Sequence, residues 1–250
     1  MKNDPTVYKK ENRSTTLDWL LIYTSDSRTK SLLLIACSFY LQYLGNDEHY
    51  VLHYILGVMT SSMNKFLIDN FRISPHEAEL FSSCFQVKAY SKGEKFIEYG
   101  KVSQKIGFVE KGLLKCVSIG NRKEVIDDFV FENQFVANYY SFLTKNESTK
   151  EIICMNDSVI RITTRNQIEE LGKKHSFMEQ MARNIAEKLF ISTHQKLEDI
   201  RLLSAEERYL KLLNSNSNIM NEIPQYEIAS YLNVSPETVS RIRKKLMKIS

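Results

Sequence analysis

Apolar positions change their period twice along this 250-residue chain. Between residues 62 and 85 they recur at threes and fours, as on helices; from 86 to 164 they alternate in short runs; beyond 164 the helical spacing returns. The first stretch predicts two short helices. SSMNKFLIDNF forms one. SPHEAELFSSCF opens the other, with Ser74 as N-cap, Pro75 at the first helical position and Glu77 three residues past the cap. Leu80, Phe81 and Phe85 give that helix an apolar face.

In the middle stretch, QVKAYSKGEKFIEYG predicts two short strands around a Lys-Gly-Glu turn. IGFVEKGLLKCVSIGNRKEVIDDFVF predicts a succession of strands turning at Gly112 and Gly120, and EIICMNDSVIRITT a last pair around Asn156 and Asp157. Strands this short, interrupted about every eight to twelve residues, belong to an antiparallel sandwich or barrel. Few of their side chains carry chemistry, so they read as a packed scaffold.

After 164, RNQIEELGKKH predicts a short helix and SFMEQMARNIAEKLFISTHQKLEDIRLL a run of 28 residues without glycine or proline. Met178, Met181, Ile185, Leu189, Leu197 and Ile200 fall on one stripe of it, on a helix much longer than the globular average. A stripe of that length without a neighbouring helix to match favours pairing with a second copy of the chain; packing within one chain is the other solution. AEERYLKLLNSN follows as an amphipathic helix capped by Ser204, with Glu207 three residues on, and ends in an Asn/Ser run.

The last forty residues carry the clearest chemical signal. Gln225 to Leu232 predicts a short helix with Ile228, Ala229 and Leu232 inward, and Asn233-Val234 a tight turn in which Asn tolerates the left-handed conformation. SPETVSRIRKKL then starts a second helix: Ser235 caps it, Pro236 takes its first position, and Val239, Ile242 and Leu246 face inward. This is the helix-turn-helix pattern, whose second helix lies in the DNA major groove. From Ser235 to Ser250 there are five Lys/Arg and one Glu, the local cationic patch that phosphate contact requires. Glu237 can accept from cytosine N4 and Arg241 can donate twice to guanine, and at i and i+4 they share a face. An ordinary surface ion pair between them is the competing reading.

Composition narrows the field. The apolar share of 43% and charged share of 26% are those of a globular protein. A net charge of +4 excludes a polybasic wrapper, so any nucleic-acid contact must be local. Cys37, Cys84, Cys116 and Cys154 stand singly, without the spacing of a zinc ribbon or iron–sulfur site, and fit a reducing cytoplasm. His49 and His53 are one helical turn apart but lack a glutamate in the HExxH arrangement and an obvious third ligand. Residues 86–164 contain no histidine, so a metalloenzyme built on the β scaffold lacks ligands. We expect no metal, no cofactor and no enzymatic activity. The first 18 residues have no apolar leader, and SLLLIACSFYLQYL (31–44) falls short of the roughly 20 residues that span a bilayer; it predicts a buried or interfacial helix, not a membrane anchor.

A β-rich part, a long helix and a C-terminal helix-turn-helix with ETVSR together resemble the Crp/Fnr family of bacterial transcription regulators. SAEERYLKLL followed by IPQYEIASYLNVSPETVSRIRKKL is similar to that family's DNA-binding end, and KGEKFIEYG and IGFVEKGLLK resemble its cyclic-nucleotide-binding-type β-roll. The resemblance covers roughly residues 62–250. It implies an α+β fold: an antiparallel β-roll sensor domain, a long dimerisation helix and a winged helix-turn-helix. The corresponding boundaries are 1–61 for an N-terminal extension, 62–174 for the sensor, 175–203 for the dimerisation helix and 204–250 for the DNA-binding domain. It further implies base contacts from Glu237, Ser240 and Arg241, with Thr238, Arg243, Lys244 and Lys245 on the DNA backbone. The partners implied are a palindromic double-stranded DNA, a second copy of the chain, RNA polymerase and an unidentified small-molecule effector, in a bacterial cytoplasm.

Two departures qualify the resemblance. Cyclic-AMP binders of the family carry a Gly-Glu stretch and, some ten residues on, an Arg followed by Ser or Thr; the matching FENQFVANYYSFLTKNESTKEI has neither glycine nor arginine. Cyclic AMP is therefore not expected to bind tightly. The oxygen-sensing branch needs clustered cysteines, and haem ligation would rest on lone histidines, His175 or His194. Residues 1–58 have no counterpart in the family, which raises the alternative of a translation start at Met59 or Met63. The other functional class to weigh is a sensor-like interaction protein that does not bind DNA specifically.

Overall fold

The computed structural model describes residues 61–120, 124–215 and 219–247. The apolar run 31–44, Cys37, the His49/His53 pair and the segment 1–58 with its alternative start at Met59 lie outside these residues. Helix α1 (Ser62–Phe71) starts where the Ser61 hydroxyl accepts the Asn64 N–H. Helix α2 (Pro75–Ser83) has the expected capping box: Glu77 N–H donates to Ser74 Oγ and Ser74 N–H to Glu77 Oε2 at 2.7 Å. Those Ser74 hydrogen bonds, the backbone one foremost, hold the Glu77 carboxyl below the usual glutamate range.

Among the described residues eight strands follow: β1 (Gln86–Tyr90), β2 (Lys95–Ile97), β3 (Lys105–Lys111), β4 (Leu114–Ile119), β5 (Glu124–Val130), β6 (Phe135–Val136), β7 (Lys150–Cys154) and β8 (Ser158–Thr164). They form two four-stranded antiparallel sheets, ordered β1-β8-β3-β6 and β2-β7-β4-β5. Three of the turns expected between strands are corners between sheets. The Lys-Gly-Glu turn joins β1 to β2, Gly112 joins β3 to β4, and Asn156-Asp157 joins β7 to β8, each pair split between sheets. Among the described residues only β4 and β5 are consecutive strands paired with each other, in register from Leu114↔Val130 to Ile119↔Glu124. Switching sheets at each corner lets both inner faces share one core, with Tyr90, Phe96, Val109, Leu114, Ile152 and Ile160 between the layers.

A short helix, α3 (Tyr139–Thr144), crosses between β6 and β7 where the sequence pattern had indicated no element. It is held by a polar network. Asn138 Nδ2 donates to Ser148 Oγ (2.6 Å), Ser103 N–H to Ser141 Oγ (2.9 Å) and Ser141 Oγ to the Asn146 carbonyl (2.6 Å). After α4 (Arg165–Lys174), helix α5 (Phe177–Leu202) runs 26 residues, about 39 Å at 1.5 Å per residue. Its first turns close a second core with α1, α2 and β3: Met63, Leu67, Phe81, Phe85, Phe108, Met178 and Met181 are all buried there.

Helices α6 (Ala205–Ser215), α7 (Ile219–Glu222), α8 (Gln225–Leu232) and α9 (Pro236–Met247) complete the described chain. Ser204 and Glu207 form the second expected capping box, Ser204 N–H donating to Glu207 Oε2 at 2.8 Å. Beyond Leu202 the described residues contain no strand, so no wing is among them. Among the described residues no helix is long and apolar enough to cross a membrane.

Candidate nucleic-acid interface

Helices α8 and α9 are joined as their residue types require. Asn233 sits in the left-handed region at φ 53°, ψ 47°, and the Val234 N–H returns to the Ala229 carbonyl at 3.0 Å. That bond satisfies the open end of α8. Ser235 Oγ accepts the Thr238 N–H (3.4 Å) to start α9, and Gln225 Nε2 donates to the Pro236 carbonyl (2.7 Å), tying the two helix starts together. Ile228, Ala229, Leu232, Val239 and Ile242 are buried in one core with Tyr209 and Leu212 of α6, and Leu246 packs against it half-buried.

This seating leaves Glu237, Arg241, Lys244 and Lys245 exposed, with Thr238, Ser240 and Arg243 half-buried beside them. Arg241 Nη2 donates to Thr238 Oγ1 (3.2 Å) instead of closing an ion pair with Glu237. The Ser235 hydroxyl, the Glu237 backbone N–H and the Arg241 charge, in that order, hold the Glu237 carboxyl below the usual range, so it is an anionic acceptor at neutral pH. Two of the cations expected on the DNA backbone are engaged within the chain. Arg243 Nε donates to the Tyr209 hydroxyl (2.9 Å), and Lys245 pairs with Glu206 of α6 at 2.8 Å. Both partners lie on α6, 34 and 39 positions earlier, separations at which spacing carries no signal.

The six-residue stripe of α5 is divided by the tertiary structure. Met178 and Met181 are in the core with α1 and α2, and Ile185 packs against it, so these three lie within the chain rather than on an outward stripe. Leu189, Leu197 and Ile200 are exposed, joined by Phe190, which is 73% exposed and stacks on His194. Leu189 and Ile200 also border a cavity of about 820 Å³ between α5, β5 and the end of α8. Ion pairs cross its floor: Lys150 with Asp127 (2.6 Å) and Lys196 with Asp128 (3.0 Å). Arg208 and Tyr231 line it from the α6–α8 side. Burial, reinforced by Asp128, pushes the Tyr231 hydroxyl up to about 12. None of these cavity residues stands out in the sequence, because each is an ordinary surface type until the elements meet.

No family model matches the chain, and no curated protein matches it. Solved structures do. A Crp/Fnr-family chain from Eubacterium rectale superposes with a TM-score of 0.54 at 15% identity, over 72% of this chain and 86% of that one. FixK2 from Bradyrhizobium japonicum gives 0.53 at 17% identity, over 66% and 85%. The chain has the fold of the Crp/Fnr regulators. The c-di-GMP-responsive global regulator CLP of Xanthomonas campestris shares it, with a TM-score of 0.53 at 14% identity over 70% and 92%. Within this Crp/Fnr fold the two sheets carry β1–β8, α5 follows them, and the α8–α9 pair stands at the C-terminal end.

Proposed function

We propose that the chain is a homodimeric, sequence-specific DNA-binding transcription regulator of Crp/Fnr type, acting in the cytoplasm. In this reading residues 62–174 are the sensor, 175–203 the dimerisation helix and 204–250 the DNA-binding domain, a winged helix-turn-helix. The observation that carries it is α9: a helix seated by Val239 and Ile242 that turns Glu237, Arg241 and Lys244 outward. Glu237, Ser240 and Arg241 read base edges in the major groove, while Thr238, Lys244 and, less directly, Arg243 and Lys245 approach phosphates. The dimer forms through the exposed second half of α5, with Leu197 and Phe190 central. RNA polymerase is the downstream partner, and no enzymatic step is involved.

The cavity lined by Asp127, Lys150, Lys196 and Tyr231 is the effector site in this reading. Cyclic AMP is a poor fit. The segment 131–152 offers no arginine, and the Asn138, Ser141 and Ser148 side chains near α3 are engaged with one another and with the backbone, the Ser103 N–H included. Low-micromolar binding of cyclic AMP by calorimetry would sink this part. The engagement of Arg243 and Lys245 within the chain favours a second reading, a sensor-like protein whose helix pair binds another protein.

Selection of genomic fragments by the purified chain, followed by gel shifts on the palindrome recovered, separates the two. Arg241→Ala is expected to weaken specific binding by about 1–3 kcal/mol and relax preference at one base pair. Lys244→Ala should weaken all sequences alike and lower the salt slope by about 1. An intact sequence preference in Arg241→Ala refutes the base-reading assignment.

A further inference from the structure

One face of α8 is turned toward the sensor sheet by polar groups. Glu227, Ser230 and Tyr231 recur at i, i+3 and i+4, the spacing of a single helix face. Each meets a different strand position. Glu227 pairs with Lys115 of β4. Ser230 Oγ accepts the Ile126 N–H (3.2 Å) of β5, the edge strand of its sheet. The Tyr231 ring lies against Phe129, also of β5, at 5.6 Å between centroids. The adjacent face of α8 carries Ile228 and Leu232, which share a core with residues of α9 and α6. Helix α9 is thus positioned relative to the sheet through what α8 does at 227, 230 and 231.

The ion pair is the unusual member of this set. The Glu227 side chain is only 5% exposed and that of Lys115 23%. Glu227 Oε1 also accepts the Tyr226 hydroxyl (3.2 Å), while Oε2 is buried without a partner. A buried pair of this kind adds little stability over apolar side chains of similar size, because desolvation offsets the attraction. What it can supply is a single register: an apolar contact tolerates sliding, and a buried charge does not tolerate losing its partner. A dimeric reader needs such a register, since its two recognition helices must match half-sites about 34 Å apart.

We propose that Lys115 and Glu227 are positioning residues for DNA reading, fixing the pose of α9 on the sensor sheet. This rests on the DNA-binding reading above. The pair acts on specific recognition, not on charge contact with DNA, because neither residue lies on α9.

The experiment uses the full chain with Glu227→Gln, the charge swap Lys115→Glu with Glu227→Lys, and the apolar pair Lys115→Met with Glu227→Met. Binding is measured on the selected palindrome and on a random duplex, and amide hydrogen exchange is followed over 225–247 and over β3 and β8. Glu227→Gln is expected to lose roughly tenfold or more on the palindrome and stay within about threefold on the random duplex, with faster exchange confined to 225–247. The charge swap should recover most of the specific affinity. The apolar pair should recover thermal stability without it, which a merely structural role would not produce. Unchanged specific affinity in Glu227→Gln, or full recovery by the apolar pair, overturns the proposal. If the unsubstituted chain prefers no duplex, the DNA reading fails by itself. Exchange then decides the positioning role: faster exchange confined to 225–247 supports it, and unchanged exchange overturns it.

Discussion

Asn233 shows what one residue decides. Its φ of 53° is a conformation that most L-residues resist by roughly 1–2 kcal/mol and that asparagine tolerates, so the turn between α8 and α9 was legible from its type alone. Asn233→Ala is expected to lower stability by about 1 kcal/mol in urea unfolding, whereas Asn233→Gly should change it little. Gly112 was legible only as a turn. The structure adds that its φ is 113° and that an added Cβ would meet Ser158, with that residue's Cα 2.9 Å away, so Gly112→Ala should be far worse than Asn233→Ala. The caps have a pH consequence. Glu77 and Glu207 both titrate below the ordinary glutamate value of 4.5, through their hydrogen bonds to Ser74 and Ser204. Because the folded value is the lower one, their contribution is complete above the unfolded value and is lost as pH falls through the folded one. Helix content by circular dichroism should therefore hold from pH 7 to about 5 and fall below about 4, and a Ser74→Ala, Ser204→Ala double variant should lose that component.

Among the elements, α5 tests how far periodicity reaches. Its threes and fours placed the helix and the stripe, but the same spacing serves an internal core and an interface between copies. Which half packs within the chain depends on α1 and α2, whose Phe71 and Phe81 share the core with Met178 and Met181. Met181, 0% exposed, should cost about 2–5 kcal/mol on replacement by Ala and leave self-association unchanged. Leu197, 52% exposed, should do the reverse: Leu197→Asp is expected to keep stability within about 0.5 kcal/mol and shift sedimentation toward a monomer. Phe190 was left out of the stripe although it falls seven residues before Leu197, on the same face; its exposure marks it. Arg243 is the converse case, an apparent surface cation that the position of Tyr209 turns inward.

Over the whole molecule, the core under β4 and β5 continues without a break into α6, α8 and α9: Val117, Ile126 and Phe129 share one cluster with Tyr209, Ile228 and Val239. The β2-β7-β4-β5 sheet and the helix pair should consequently unfold together. Ile228→Ala is expected to lower the midpoints of helix and tyrosine signals in parallel, by about 2–5 kcal/mol, where independent domains would separate them. The sequence by itself determined most of the helices and strands, with α3 the exception, their caps and turns, and the cationic helix at the end, since these follow from local propensity and from periods of two and three to four residues. Only the tertiary structure decided which turns are hairpins and which are corners. It also divided α5, drew Arg243 and Lys245 onto α6, and closed Lys115 on Glu227 across 112 positions of chain. Those outcomes depend on which surfaces remain apolar or charged after each element has formed, and a local pattern holds no record of the partner that will cover them.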